Sequence, residues 1–445
     1  MKFSFKSLAA LCLSASLVQP AQADSDVYVT NNSAQVLSVS VSHTGDALLE
    51  EGSQWQQHVQ TLGPWETRMV LSFNRWVNVK SGKTYNFETV LTNPYGDSVS
   101  LHQQVKGYWY NSTLKHGASS GEFSLRWYDD RDIHREQTQM SQAGDATELA
   151  FKADATARYD DVYYAVTPQK IDEQPNPDAD TLKVMTYNIW ALPAIASHIQ
   201  DRYDILPEHM KGYDVLMLQE VFASGREAFL RTLAAEYPYQ TQMLDKDGFN
   251  VYDGGVTIVS RYPIVNQGQY VYPDCSGSDC FADKGLNYAE VIKGGKAYHL
   301  LATHTASFDT DTAREYRQRQ FRQMRAFAQN LNIPADETVI YGGDFNVNKR
   351  KFADDYADML ANLNAQEPGY GGYTESTFDP RINGFAGKAL SGGENIEYLD
   401  YIVVSKEHKQ VQQNTNVVKI QRTSDERLFK HWNLSDHFPV VTELR

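Results

Sequence analysis

Six apolar segments of this chain end on side chains that can bind a cation or move a proton. Asn188 closes Lys183-Val-Met-Thr-Tyr-Asn, Glu220 closes Val215-Leu-Met-Leu-Gln-Glu, and His304 closes Tyr298-His-Leu-Leu-Ala-Thr-His. Asp344 and Asn346 follow Val339-Ile-Tyr-Gly-Gly, Asp400 stands at the start of Leu399-Asp-Tyr-Ile-Val-Val, and Asp436 and His437 precede Phe438-Pro-Val-Val. Any one of them has an ordinary explanation, because strand ends are wet and polar residues cap turns there. Six together point to a site, since ligands of α/β sheets gather beyond the strand ends. The Glu, Asp and Asn side chains make an all-oxygen donor set, which suits a hard cation such as Mg²⁺ better than zinc. The histidines need not ligate it. Asp436 can face a metal while the adjacent His437 imidazole turns to substrate, with Asp400 fixing its tautomer.

These residues need a scaffold, and the chain changes character around residues 166–181. That stretch, VTPQKIDEQPNPDADT, holds three prolines and few large apolar residues, so it reads as a linker. Downstream, over residues 182–445, buried strands alternate with amphipathic helices. The run from Asp214 to Glu220 is continuous and apolar, as in a strand covered on both faces. From Thr312 to Leu331, Ala313, Tyr316, Gln320, Met324, Phe327 and Leu331 recur at helical spacing, and five arginines fall on the remaining surface. This half is an α/β domain.

Upstream, over residues 24–165, β-branched and aromatic runs separated by Gly, Asn and Pro predict an antiparallel all-β domain, sandwich-like in build. Tyr108, Trp109, Tyr110 and Trp127 fit core packing at period two; a surface facing lipid or sugar is the alternative.

Residues 1–23 place Lys2 and Lys6 before a short apolar run and end on Ala21-Gln22-Ala23, the layout of a cleaved secretory signal. The protein is therefore expected to be secreted. Loss of those two lysines takes the formal net charge from −15 to −17, a poor surface for nucleic acid, which is normally held by basic stripes. Cys12 leaves with the signal. Cys275 and Cys280, separated by Ser-Gly-Ser-Asp, are expected to oxidise to each other in an exported protein and to pin one loop.

The motifs TYNIWALP (186–193), LQEVF (218–222), DGGVTIVSRYPI (253–264), ADKGLNYAEV (282–291), ATHTAS (302–307), YGGDFNVNK (341–349), LDYIVVSKEH (399–408) and LSDHFPVV (434–441) give a resemblance. Residues 181–445 resemble the endonuclease/exonuclease/phosphatase superfamily, and closely its bacterial neutral sphingomyelinases. GDFN and SDH mark the superfamily when taken together; TYN with LP, and DKGLNYAEV, point to the sphingomyelinase branch. The upstream β-domain lies outside the resemblance.

The resemblance implies a DNase I-like four-layer α/β/β/α sandwich. It implies Glu220 as principal metal ligand, helped by Asn188 and Asp436, with Mg²⁺ bound and Mn²⁺ or Co²⁺ as substitutes. His437 would be the general base, oriented by Asp400. Asp344 and Asn346 would orient the attacking water and meet the phosphoryl oxygens, while His304 would stabilise or protonate on the opposite side. The implied reaction is hydrolysis of sphingomyelin to ceramide and phosphocholine by a monomer that touches the membrane peripherally and binds no nucleic acid. Trp190 and Phe222 are candidates to face the choline cation.

This sequence departs from the pattern in places. The membrane hairpin of lytic relatives is reduced to Leu428 and Phe429, near Trp432, within a short charged segment. An edge metal would rely on Asp253, whose neighbour is Tyr252, and Ser224 lies two residues beyond Phe222. Cys275 pairs only locally. Two other functions fit less of the chain: another phosphodiesterase on the same fold, such as a DNase-like nuclease or an inositol phosphate phosphatase, and a lipid- or sugar-binding adhesin with an inert catalytic half.

Overall fold

The computed structural model describes residues 24–140, 146–157, 159–245, 252–387 and 395–445. The secretory signal expected at residues 1–23 lies outside them. The chain divides into two compact units. One comprises the chain up to Asn31 with Gln35–Gly63 and Thr67–Val166; the other comprises Thr167–Arg445 with the short pieces Asn32–Ala34 and Pro64–Glu66.

The first unit contains a six-stranded and a five-stranded sheet. Their inward side chains join one hydrophobic cluster, in which Val27, Phe73, Leu149 and Tyr164 from one sheet meet Val39, Phe87, Leu101 and Val105 from the other. Burial alternates along Thr84–Thr92 and Ser98–Gly107, the period-two signature of strands with one wet face. The expectation of a wholly antiparallel unit needs one correction. Asp24–Asn31 pairs in parallel with Asp160–Pro168, Val27 opposite Val162. These strands come from opposite ends of the unit, so no hairpin dictates their direction. A second correction concerns Tyr108, Trp109 and Tyr110. They sit just beyond Ser98–Gly107, where the chain turns into Ser112–Ser120, and Trp109 is 83 % exposed. Period two fails there because a turn residue has no sheet face to alternate across.

The second unit stacks a seven-stranded sheet on a six-stranded one. Leu182, Val184, Val215, Met217 and Ile258 of the first pack against Leu286, Tyr288, Leu300, Ile340 and Ile402 of the second. Helices cover both outer faces. Tyr203, Leu206, Phe229 and Leu233 of Ile199–His209 and Arg226–Leu233 pack on Met185, Leu216 and Val259. Phe321, Met324, Met359 and Leu363 of Asp311–Asn330 and Ala353–Leu363 pack on the other sheet. The result is a four-layer α/β/β/α arrangement, and it explains why Val215–Gln219 and Thr338–Asp344 are buried at every position.

The long helix also corrects the assignment of its arginines. Arg317 is fully buried, ion-paired with Asp355 at 3.2 Å and donating to the carbonyls of Ala306 and Phe308. It is an internal strut for the segment after His304. The stretch at residues 166–181 is tied down as well. Lys293 Nζ is buried and donates to the carbonyls of Asn176 and Thr181, at 2.6 and 2.8 Å, and to Asp214 Oδ2 at 2.8 Å. Asp214 also accepts the Lys183 N–H at 2.8 Å. Because Asp214 leads into Val215–Gln219 and Lys293 ends Gly285–Lys293, the pair joins the two sheets.

Removing one partner of a buried pair leaves an uncompensated charge, at a cost of about 3–5 kcal/mol. Asp214→Ala should therefore lower the unfolding free energy of the second unit by about that amount in urea titrations. A loss below about 1 kcal/mol, the range of an exposed pair, would show that the Lys293 ammonium finds water instead.

Candidate active site

Asn188 and Asp344 are the last residues of Leu182–Asn188 and Thr338–Asp344, one in each sheet of the second unit. They meet where the strand ends converge. Asn188 Nδ2 donates to Asp344 Oδ2 at 3.0 Å and to Glu220 Oε1 at 3.2 Å. Gly342 permits the approach of the two sheets, and Gly343 that of its own neighbouring strand. A Cβ on Gly343, where φ is +144°, would lie 2.0 Å from the Thr303 carbonyl oxygen, and one on Gly342 would strike the end of Met217. Glu220 and Asn346 both adopt left-handed backbone, φ 56° and 49°, a conformation that costs energy and collects at functional sites. The turn at Asn346 lets its N–H donate to Asp344 Oδ1 at 2.9 Å while its side chain donates to the Thr305 carbonyl.

Asp344 Oδ2 is the meeting point of the two histidines. His304 Nε2 lies 3.5 Å from it and His437 Nε2 3.8 Å. On its far edge His437 shares a 2.8 Å Nδ1 hydrogen bond with Asp400, whose carboxylate is fully buried. Phe378 packs edge-on against the ring. Burial alone would lower the His437 pKa, but Asp400, Asp344 and Asp436 outweigh it and hold the imidazolium well above the usual range. For the acids the balance runs the other way. Burial pushes Asp400 up to about 6 and Asp436 up to about 7, each helped by a neighbouring carboxylate, and raises Glu220. Burial also works against ionised Asp344, yet His437, His304 and Lys284 carry it below the ordinary value.

The opposite side holds a residue that the strand-end reasoning passed over. Lys284, from the ADKGLNYAEV segment, is buried with its ammonium 2.9 Å from His304 Nε2. It also donates to the Thr305 carbonyl at 2.8 Å and to Ser307 Oγ at 2.7 Å, and pairs with Asp279 at 3.4 Å. Burial and this ammonium depress the His304 pKa to about 3, so the imidazole is a neutral acceptor. Asp279 stands inside the loop closed by the Cys275–Cys280 disulfide and also accepts the Ser307 N–H at 2.6 Å. The disulfide thus holds the acid that anchors Lys284. Only its place just ahead of a strand, beside Asp283, could have marked Lys284 in the sequence.

Arg202 is a second omission. Buried in Ile199–His209, it donates to the carbonyls of Ile189, Trp190 and Leu434, clamping the turn after Asn188 to the segment that carries Asp436. Its guanidinium lies 5.1 Å over the Trp190 ring, and Trp190 and Phe222 are both buried. One face of the Trp190 ring, expected to meet the choline cation, therefore already carries the Arg202 guanidinium. The expectation for Leu428 is corrected. It is fully buried in the core beneath Ile199–His209, whereas Phe429 is half-buried and packs edge-on against Trp432. The Asp253 carboxylate, expected at a metal edge, is ion-paired with Arg226 and accepts the Gly255 N–H. The cation at that position is supplied by the chain.

The remaining donors fit a divalent cation. Glu220 Oε2 is buried with no hydrogen-bond partner, and Asp436 Oδ1 meets only a 3.3 Å contact from Ser435 among the hydrogen bonds described. Both are carboxylate oxygens, the chemistry that selects Mg²⁺; the Asn188 amide joins them only with its oxygen, which accepts the Trp190 N–H at 3.0 Å, turned toward Glu220 in place of its nitrogen. Asp344, Asp400 and His437 can also bring one ligand atom each within 4.8 Å of one another. Asn188, Glu220, His304, Asp344, Asn346, Asp400 and His437 thus form one connected polar cluster.

Residues 185–437 match the model of the endonuclease/exonuclease/phosphatase family. A phospholipase C of Staphylococcus aureus is 33 % identical over 304 residues, covering 62 % of this chain and 91 % of that protein. A sphingomyelinase C of Bacillus cereus is 33 % identical over 299 residues, covering 60 % and 89 %. Among solved structures, a Staphylococcus aureus beta toxin variant with bound magnesium ions matches at TM-score 0.53 and 33 % identity, covering 59 % of this chain and 98 % of that one. The structure of SmcL matches at TM-score 0.53 and 32 % identity, covering 60 % and 99 %. The four layers and the polar cluster at their strand ends are therefore a DNase I-like fold, and the chain belongs to the endonuclease/exonuclease/phosphatase family as a phosphodiesterase hydrolase of its bacterial sphingomyelinase branch.

Proposed function

We propose that this chain hydrolyses sphingomyelin to ceramide and phosphocholine with Mg²⁺, as an exported enzyme that acts on membranes. The observation that carries the reading is the cluster around Asp344 Oδ2, which brings an orphaned Glu220 oxygen, a carboxylate-held His437 and the Lys284 ammonium into one polar site. Glu220, Asn188 and Asp436 would hold the cation, which when bound polarises the phosphoryl oxygen and stabilises the departing alkoxide. His437, fixed through Nδ1 by Asp400, would take the proton from the attacking water as the neutral imidazole, the state favoured once a bound cation offsets the Asp344 and Asp436 charges that otherwise keep it protonated. The water oxygen bonds to phosphorus, the bond from phosphorus to the ceramide oxygen breaks, and that oxygen takes a proton from solvent while His437 returns the one it accepted to solvent. Asp344 and Asn346 position the water, and His304 with Lys284 balances charge on the other side.

The acidic net charge favours a lipid ester over nucleic acid. In the described residues no helix is long and apolar enough to cross a membrane. The exposed Tyr108, Trp109 and Tyr110, with Lys106 beside the Tyr108 ring, supply the amphipathic aromatics that settle at headgroup level.

Phosphocholine release from sphingomyelin vesicles should require Mg²⁺, stop with chelator and restart on re-addition, while plasmid DNA under the same conditions stays intact. Nicking without phosphocholine release would select the nuclease reading. His437→Ala should lower the rate by about 10² or more, the scale of a lost general base, with circular dichroism unchanged; a near-normal rate would reject that role. Trp109→Ala should reduce hydrolysis of vesicles and leave a soluble phosphocholine ester unaffected. Equal loss on both substrates would exclude a membrane role for this turn.

A further inference from the structure

The first unit contains a second constellation, outside the matched residues 185–437, whose chemistry differs from that of the oxygen-lined centre. His116 lies within Ser112–Ser120 and His134 opens His134–Gln139. Between them the chain folds back so that Tyr128 exchanges both backbone hydrogen bonds with His116, at 2.9 and 2.8 Å. The Tyr128 ring then stacks on His134 with centroids 3.5 Å apart, while Phe151 packs against both imidazoles. This leaves Asp130 beside His134, its Oδ1 2.7 Å from Nε2. His116, His134 and Asp130 can each bring one ligand atom to within 4.8 Å of the others.

His116 is 1 % exposed, and its Nε2 is buried with no hydrogen-bond partner. A buried polar atom left unsatisfied is unfavourable, and a ligand at this point would satisfy it. Two imidazole nitrogens and one carboxylate oxygen form the donor set of a borderline cation such as Zn²⁺, whereas Mg²⁺ keeps to oxygen. We infer that His116, Asp130 and His134 bind a divalent transition-metal ion of the zinc class. The ion takes the place of the proton now shared between His134 and Asp130. Asp130 is solvent-exposed, so the position is reachable, and three protein ligands leave the fourth place to water. Bound there, the ion clips the irregular segment of residues 121–133 to the two strands it connects, a long connection for a compact unit.

The test uses the full mature chain without an affinity tag, carrying Glu220→Gln and His437→Ala so that the catalytic centre does not compete. Zn²⁺ is titrated calorimetrically in Mg²⁺ buffer, and thermal unfolding is followed with and without Zn²⁺. The expected result is one Zn²⁺ per chain and a higher Tm for the first unit. Asp130→Ala and His134→Gln, at the accessible side of the cluster, should each weaken binding at least about tenfold, the scale on which even indirect partners tune metal affinity, and abolish the Tm rise. Absence of Zn²⁺ uptake by the parent, or uptake unchanged in both variants, overturns the proposal. His116→Gln serves as a third variant where it folds.

Discussion

The chemistry of this protein depends on one buried carboxylate oxygen, Asp344 Oδ2. It accepts from Asn188 of the neighbouring sheet and lies within 4 Å of both His304 and His437. Burying a carboxylate so deeply is unfavourable unless charges and donors compensate it, and here each compensating group belongs to the candidate chemistry. Stabilising the fold at this point and assembling the site are therefore the same act. The requirement also explains the packing around it. Gly342 lets the sheets approach closely there, since a side chain at that position would strike Met217 of the facing sheet, and the buried Asp214 and Lys293 pair joins the same sheets elsewhere in the unit.

The surrounding charges are arranged asymmetrically. On one side Asp400 grips His437 from behind; on the other Lys284 faces His304, with Asp279 behind it. The two imidazoles consequently lie in opposite electrostatic settings, one held cationic by carboxylates and one kept neutral by burial and a neighbouring ammonium. Such a separation of two like groups is how a site can assign them different work. The carboxylates that burial raises, Glu220, Asp400 and Asp436, form the excess of negative charge that a divalent cation would relieve.

The first unit follows other rules. Its exposed aromatics stand at a turn, free of the alternation that buries their neighbours, and its histidines gather where an irregular segment returns to the sheet. Both features lie outside the matched residues 185–437.

The strand-end motifs were legible in the sequence because continuous apolar runs ending on Asn188, Glu220, His304 and Asp344 leave those side chains few places other than a common edge. The change from period-two runs to alternating strands and helices was legible for the same local reason. Orientation was not. Leu428 and Arg317 are opposite failures: one apolar residue assigned outward lies in the core, and one arginine assigned to the surface is buried against Asp355, because tertiary neighbours and not residue type set their burial. Lys284 and Arg202 were missed because their partners are backbone carbonyls and loop atoms far along the chain, which leave no spacing to read. The sequence by itself determined which donors exist and at which strand ends they stand. Only the tertiary structure decided that Arg226 takes Asp253, that Arg202 takes the face of Trp190, and that Glu220 Oε2 is left unpartnered, since pairing is settled by distances across the fold and not by distance along the chain.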